Sequence, residues 1–231
     1  LQRLIQATWV MLAVGFMAFL LFQYVGDPVV FMLGQDVTPE KVAQLRAELG
    51  LDQPFFVQFF HFIVNAAQGD FGVSLRQGGK VSNLIIDRLP ATLELAMAAA
   101  MLALLVGIPM GVYAALRRHS WLSKLLMTAS LVGVSLPTFL IGILLILVFS
   151  VWLGWFPSFG RGEVVKIGGW STGLLTLDGW LHLVLPAVTL CFFQLALVMR
   201  LVRAEMLEVL RTDYIKFARA RGLSERVIHF Q

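Results

Sequence analysis

The sequence predicts an all-α integral membrane protein with four membrane-spanning helices. Of its 231 residues, 58% are hydrophobic and only 14% are charged, whereas about a quarter of the residues of an ordinary soluble domain are charged. Mean hydropathy is +0.82, and apolar segments long enough to cross a hydrocarbon core of about 30 Å recur along the chain. The net charge of +4 does not indicate nucleic-acid binding, because the basic residues cluster beside the apolar segments as membrane topology requires.

The amino-terminal part combines one span with a long external region. Residues 4–25 carry no charged side chain and form the first predicted span, which the GDP triplet at residues 26–28 ends. Residues 38–50 are predicted to form a helix of the soluble type that Gly50 terminates. A second, phenylalanine-rich helix starts at residues 52–54, but it is too short to cross a membrane, so we expect it to pack or to lie at the interface.

The second predicted span covers residues 90–116, with Pro90 in its first turn. Glu94 also lies in this turn, and its carboxyl group has two interpretations. Ionisable groups within spans often serve transport, which would place Glu94 on the translocation path. An acid in the first turn is also stabilised by the helix dipole near the interface, and we favour this second interpretation. Small residues between positions 96 and 111 predict a surface for close helix packing.

Two further spans are predicted downstream. Residues 125–160 carry no charge and exceed the length of one span, and Pro137 is expected to bend the third span near its middle. Residues 154–182 are predicted to form an external loop with a short helix. The fourth span covers residues 179–199. Its Gln194 side chain is a second candidate for the translocation path, and a hydrogen bond to a neighbouring helix is an equally good interpretation.

Basic residues set the predicted orientation. Most of the 18 Lys and Arg residues lie in the turn after the second span or in polar residues near the two chain ends. Positive residues in short loops mark the cytoplasmic side of a membrane protein, so we expect the amino end and the carboxyl-terminal polar stretch to be cytoplasmic. The cytoplasmic basic residues are then Arg3, Arg117, Arg118, Lys124, Arg200, Arg203, Arg211, Lys216, Arg219, Arg221 and Arg226.

The polar stretch at residues 206–231 follows the fourth span abruptly. Its apolar residues recur at helical spacing and Gly222 ends the pattern, which predicts a short amphipathic helix, a glycine break and the start of another element. These apolar residues are Met206, Leu210, Tyr214 and Phe217. Such a helix suits docking to a partner, because Tyr214 or Phe217 offers a bulky anchor and Ala218 permits a close approach. The alternative is a basic helix held at the lipid surface.

Residues 213–223, DYIKFARARGL, resemble the cytoplasmic EAA loop of ABC-importer permeases, in the form used by the dipeptide/oligopeptide branch. In that family the loop forms the coupling helix, which docks into a groove on the ATPase subunit. The resemblance therefore implies a coupling role for Tyr214, Phe217, Ala218 and Gly222. The EAA positions hold KFA here, so only Ala218 and Gly222 match the generic form.

Other segments resemble the same family, in the family's order, along essentially the whole chain. They are GDP after the first span, ELGLDQP and GDFGVS in the external region, RLPATLEL at the entry to the second span and GIPMG within that span. The resemblance implies the transmembrane domain of a type I ABC importer with six spans, of which four are present. Because the chain starts at Leu1 rather than Met and stops within the coupling loop, we expect it to be a fragment.

The resemblance also divides the chain and implies its partners. Residues 1–88 would hold the first transmembrane helix and the external helical loop. Residues 89–231 would hold the permease domain, truncated within the cytoplasmic coupling loop. A second permease subunit forming a heterodimer, two ATP-binding subunits and an extracytoplasmic substrate-binding protein would complete the importer. The implied location is the bacterial cytoplasmic (inner) membrane, with several passes.

The sequence carries no recognised motif for chemistry of its own. The GxxxxGK[ST] loop that cradles phosphates is absent, as are HExxH, a Cys/His cluster and the GxSxG elbow. We therefore expect a non-catalytic subunit with no catalytic residue, no metal site and no bound cofactor. ATP and Mg²⁺ would be bound by the partner ATPase.

The predicted function is that of a permease subunit that moves dipeptides or oligopeptides and is driven by separate ATPase subunits. A nickel or glutathione importer of the same branch is the alternative within the family. A secondary transporter and a non-transporting membrane scaffold are the alternatives outside it, and dependence of uptake on a separate ATPase separates them. The residues give no physical basis for choosing the substrate, so peptide follows from the resemblance alone.

Overall fold

The computed structural model describes residues 1–25, 29, 38–48, 51–74, 77 and 79–230. The chain divides into two compact units, Leu1–Arg88 and Leu89–Gln231, and each is described by itself. Helices dominate, in agreement with the predicted class. Large apolar side chains such as Trp9, Met101 and Leu201 are exposed on the long helices, as expected of surfaces that face lipid or another subunit.

Three described helices precede residue 80, and two of them pack through aromatic rings. They are α1 Gln2–Val25, α2 Pro39–Glu48 and α3 Phe55–Ala67. Phe16 and Phe19 of α1 contact Phe55 and Phe59 of α3, with ring centroids 5.3 to 6.0 Å apart. Helix α1 is a candidate membrane span, whereas α3 is too short to cross and packs on α1. The GDP triplet and Gly50, predicted as helix ends, lie outside the described residues.

The second predicted span starts earlier than expected. Helix α4 covers Val81–Leu116 and holds Pro90 and Pro109 in its interior, so the prediction that Pro90 opens the helix is wrong. A proline removes one backbone hydrogen bond, and a long helix held by neighbouring elements tolerates that loss. Glu94 consequently lies well inside α4. Its interpretation as a first-turn acid stabilised by the helix dipole is therefore also wrong.

The third predicted span is bent at Pro137, as expected. Helix α5 covers Trp121–Ser135, and α6 covers Thr138–Leu145 before the chain widens to a π-helix at Ile146–Trp152. Pro137 occupies the position before α6, and the pair of helices is bent by 106°. Counting this pair as one span gives up to four candidate spans among the described residues, and leaving it out gives three.

A β-hairpin stands where a loop with a short helix was predicted. Strand β1, Val165–Ile167, pairs antiparallel with β2, Trp170–Thr172, and Ile167 lies opposite Trp170. Gly168 has a φ of +60°, which the tight two-residue connection requires and glycine adopts at low cost. The pair Gly168 and Gly169 between two short apolar runs is a known hairpin signal. The prediction of a short helix in this loop is wrong, because a Gly-Gly pair between two short apolar runs favours a hairpin.

The fourth span is followed by two short helices in the polar stretch. Helix α7 covers Leu177–Val209, α8 covers Asp213–Ala220 and α9 covers Glu225–Phe230. The fourth span therefore continues beyond its predicted end, and the predicted start of the amphipathic helix near Met206 is wrong, because α8 begins only at Asp213. The further element predicted after Gly222 is α9. At the end of α7 the helical turn tightens, because the Arg211 and Thr212 amides donate to carbonyls only three residues back. Thr212 then adopts an extended conformation, which separates α7 from α8.

Helices α4 and α7 pack closely through glycine. A Cβ atom at Gly111 would lie 2.8 Å from both the main-chain oxygen of Met199 and the Cβ of Val202, and one at Gly107 would lie 3.1 Å from Val198. The distances at Gly111 leave no room for a side chain and those at Gly107 are tight, which agrees with the predicted small-residue surface. Helices α5 and α6 also pack on α7, so α7 is the helix around which the carboxyl-terminal unit assembles.

We expect Gly111→Ala to destabilise the protein, because the new methyl group meets a main-chain oxygen and forces the two helices apart. Overpacking of this kind costs about 1–3 kcal/mol, visible as a lower Tm of the detergent-purified full-length protein. Gly133→Ala is the matched control, since its Cβ would lie 3.9 Å from the Phe192 ring and alanine has the better helix propensity. Equal Tm values for the two variants would contradict the close packing of α4 on α7.

Candidate functional site

Helix α8 presents two aromatic rings on its surface. Ile215 is 6% exposed and faces into the protein, whereas Tyr214 is 61% and Phe217 is 63% exposed. Ala218 is half-buried. An amphipathic helix normally buries its large apolar residues, so two exposed rings on so short a helix suit contact with something other than the described chain.

Gly222 ends α8 in a defined geometry. Its φ is +79°, and its N–H donates to the Arg219 carbonyl while the Leu223 N–H donates to the Ala218 carbonyl. These two bonds are those of a Schellman motif, in which glycine takes the left-handed position without strain. The helix end predicted at Gly222 is confirmed, and it turns the chain sharply away from α8.

A bidentate ion pair joins α8 to α9 across this turn. Arg219 Nε lies 2.9 Å from Glu225 Oε1 and Arg219 Nη2 lies 3.1 Å from Glu225 Oε2. Hydrogen bonding to Glu225 raises the pKa of the Arg219 guanidinium. Both side chains are exposed, so the pair adds little stability by itself, but its two parallel bonds fix an orientation.

The α8–α9 segment lies at the carboxyl ends of α4 and α7. A cleft of about 380 Å³ separates them and is lined by Ala115, Leu116, Arg118, Leu207, Leu210, Arg211, Arg219 and Glu225. Residues from both long helices and from the α8–α9 segment thus share one cavity wall. A displacement of α8 would therefore act on residues next to the carboxyl ends of both helices.

Glu94 lies in the amino-terminal half of α4 and contacts the β-hairpin and its flanking residues. Its carboxylate is 8% exposed and accepts bonds from Arg161 Nη2 at 3.2 Å, Trp170 Nε1 at 3.3 Å and the Gly173 N–H at 3.4 Å. Arg161 also donates to the hydroxyl and the main-chain oxygen of Ser171 on β2. We call Glu94, Arg161, Trp170, Ser171 and Gly173 the hairpin clamp.

Residues 161–173, which we call the hairpin segment, are attached to the start of α7 as well. The Thr176 hydroxyl accepts from the Gly179 N–H at 3.0 Å, as an N-cap, and donates to the Glu163 carbonyl at 2.7 Å. Asp178 Oδ2 accepts from the Glu163 N–H at 2.7 Å. Gly173 and Gly179 touch so closely that a Cβ on Gly179 would lie 2.1 Å from the Gly173 oxygen. The segment therefore joins the amino-terminal half of α4 to the amino end of α7.

The two predicted path residues are not brought together. A Cβ atom on Gly107 would lie 3.3 Å from the main-chain oxygen of Leu195, which places Gln194 close to the level of Gly107. Glu94 is 13 residues earlier on α4, roughly 20 Å away along the axis. Gln194 is exposed, so both interpretations of it stay predictions. Within the described part of the chain, no group of three His, Cys, Asp or Glu side chains is placed to hold a metal ion.

Sequence reasoning did not identify Arg161, Trp170 or Gly173. A carboxylate inside an apolar span needs a cation or several donors, and Arg161 is the first charged residue after the long uncharged segment. That signal could have paired Arg161 with Glu94. The hydrogen bond from Gly173 uses the main chain and leaves no signal in the residue type.

Comparison with known proteins matches both parts of the chain to family models. The model described as binding-protein-dependent transport system inner membrane component matches residues 107–231, and the model of the N-terminal region of such membrane components matches residues 1–96. Similar curated proteins include a protein from Brucella abortus (strain 2308) named as a peptide transport system permease. It is 43% identical over 97% of this chain and 69% of its own length.

Two other relatives carry more specific names. A di/tripeptide transport system permease from Pseudomonas aeruginosa (strain UCBPP-PA14) is 41% identical over 89% of this chain and 65% of its own length. A glutathione transport system permease from Escherichia coli (strain K12) is 38% identical over 87% of this chain and 60% of its own length. The chain thus spans about two thirds of the length of these relatives.

We expect Gly222→Val to open the Schellman motif, whereas Gly222→Asn keeps it. Open space surrounds a Cβ at this position among the described residues, so the two variants differ in backbone strain and not in packing. The left-handed conformation costs a β-branched residue about 1–2 kcal/mol or more, whereas asparagine tolerates it. Amide hydrogen exchange at Leu223 in the full-length protein measures the difference. Identical exchange in both variants would contradict the motif.

Proposed function

The chain belongs to the family of binding-protein-dependent transport system inner membrane components, and from this premise we propose that it is the peptide-carrying permease subunit of an ABC importer. The observation that carries the coupling part of this proposal is the exposure of Tyr214 and Phe217 on α8. Exposed aromatic rings next to a fixed helix end are the groups that commonly dominate protein–protein binding energy. Their proposed partner is a groove on an ATPase subunit.

Each predicted coupling residue has a distinct part in this docking. Tyr214 and Phe217 insert their rings into the groove, Ala218 lets the two surfaces approach closely, and Gly222 directs the chain out of it. Arg221 lies 5.5 Å from the centre of the Phe217 ring, and this cation–π contact holds the ring in place. The side chain is thereby ordered before docking, which lowers the entropic cost of binding.

The short connections around α8 allow it to transmit force. Three residues join it to α7, and the Arg219–Glu225 pair ties it to α9. We propose that closure of two ATP-binding subunits moves α8 as a rigid body and switches the spans from inward-facing to outward-facing. ATP and Mg²⁺ are bound by those subunits, so this chain is a non-catalytic partner in the cycle.

The proposed assembly contains a second permease subunit, two ATP-binding subunits and an extracytoplasmic substrate-binding protein. The names of the relatives, which mention peptides, di/tripeptides and glutathione, support a peptide substrate. The substrates in all three names contain peptide bonds, so a short peptide is the substrate class we propose. Uptake that persists without the ATPase subunits would instead favour a secondary transporter, and a protein that binds an ATPase but moves nothing would be a scaffold.

Tyr214→Ala and Phe217→Ala are expected to weaken binding of the ATPase subunit without affecting membrane insertion. Each ring is expected to contribute about 2 kcal/mol, or roughly a 30-fold loss of affinity. Co-purification of the ATPase with the full-length protein from detergent measures the effect. Trp121→Ala is the control, because it removes an equally exposed aromatic ring from another helix. An equal loss in the control, or none in the α8 variants, would contradict the docking role.

The proposed orientation puts the amino end, the basic turn after α4 and α8 in the cytoplasm. In a Cys191→Ala background, which removes the single cysteine, we expect Lys166→Cys to react with an impermeant maleimide in spheroplasts. His119→Cys should react only after lysis. Both positions are exposed, so reactivity reports the side of the membrane. The reverse labelling pattern would overturn the orientation.

A further inference from the structure

The hairpin clamp is an obligate contact between α4 and the hairpin segment. A carboxylate buried in an apolar helix is costly unless charges and hydrogen-bond donors surround it. The groups that donate hydrogen bonds to Glu94 belong to Arg161, Trp170 and Gly173, all on the hairpin segment. Removing the hairpin would leave a buried charge uncompensated, so α4 and the hairpin are held together.

The same segment is fixed to α7 by main-chain groups. The Glu163 N–H and carbonyl bind Asp178 and Thr176 at the start of α7, and Gly173 lies in contact with Gly179. The hairpin segment is therefore bonded to both α4 and α7, so it cannot move with one of these helices and leave the other in place. Its exposed side chains include Ile167, which lies opposite Trp170 in the strand pair.

The opposite ends of these two helices meet the α8–α9 segment. Leu116 of α4 and Leu207 of α7 line the cleft that Arg219 also lines. Between the two ends, Gly107 and Gly111 bring the helices into close contact. Helix α7 has 33 residues, or about 50 Å of length, and it connects the hairpin segment to the turn before α8.

We propose that Glu94 is a positioning residue: its carboxylate makes the hairpin and α4 move as one body, so that displacement of α8 changes the position of the hairpin on the far side of the membrane. This rests on the proposed function of α8 and assigns Glu94 a role other than contact with the transported peptide. By reciprocity, a partner that prefers one hairpin position shifts α8 by the same coupling free energy.

Glu94→Gln is the direct test, in the full-length protein assembled with its second permease, ATPase and binding-protein subunits in lipid nanodiscs. The amide keeps the size of the side chain but removes its charge. Its NH2 group is a hydrogen-bond donor that would face the donors of the hairpin segment. We expect amide hydrogen exchange in residues 165–172 to accelerate about ten-fold or more. ATP hydrolysis stimulated by the loaded binding protein should fall, with an unchanged KM for peptide and unchanged ATPase co-purification. Glu94→Asp should restore part of both losses.

Two further variants keep the result interpretable. Trp170→Phe removes one hairpin donor while keeping an aromatic ring, and it should give a smaller change in the same direction even if Glu94→Gln fails to fold. Glu205→Gln neutralises an exposed glutamate on α7 and should change nothing. Unchanged hairpin exchange in Glu94→Gln and Trp170→Phe, or a raised KM for peptide with normal maximal hydrolysis, would overturn the proposal. Failure of the wild type to bind its ATPase would refute the α8 role alone, because the exchange comparison of wild type with Glu94→Gln can be repeated on the full-length permease without its partner subunits.

Discussion

The contact between α4 and α7 at Gly107 and Gly111 is the constraint on which the rest of the carboxyl-terminal unit depends. A side chain at Gly111 would collide with α7, and one at Gly107 would make a tight contact with it. In a membrane the hydrophobic effect gives little drive for helix association, so van der Waals packing and small residues must supply it. This packing places the hairpin clamp and α8 at opposite ends of one helix pair, which makes mechanical coupling between them feasible.

The two ends of this pair use different physics. At the α8 end, exposed rings and an exposed ion pair contribute little to folding and are available for a partner. At the hairpin end, Glu94 is buried and each contact is needed to offset its desolvation. Weak contacts suit a surface that docks during a transport cycle, whereas a satisfied buried charge suits a joint that must not open. The proposed roles follow this division.

Local rules predict the end of α8 better than the clamp. Gly222 predicts a helix end because glycine is the residue that most often takes the left-handed position after a helix. Small residues on α4 likewise predicted close packing. Glu94 was misread because its partner Arg161 lies 67 positions away, and the proline at position 90 suggested a helix start that tertiary contacts overrule. The hairpin was missed although its Gly-Gly pair was visible, and the turn at Thr212 depends on backbone geometry that apolar spacing does not report.

Docking of the exposed face of α8 to an ATPase subunit can be tested by cross-linking. A photoreactive phenylalanine analogue is placed at position 214 of the full-length protein in living cells, and the cross-linked product is identified by mass spectrometry. We expect an adduct between position 214 and a groove of the ATP-binding subunit, with a yield that changes when ATP hydrolysis is blocked. An adduct with lipid, or with another face of the permease itself, would refute docking of α8 to an ATPase.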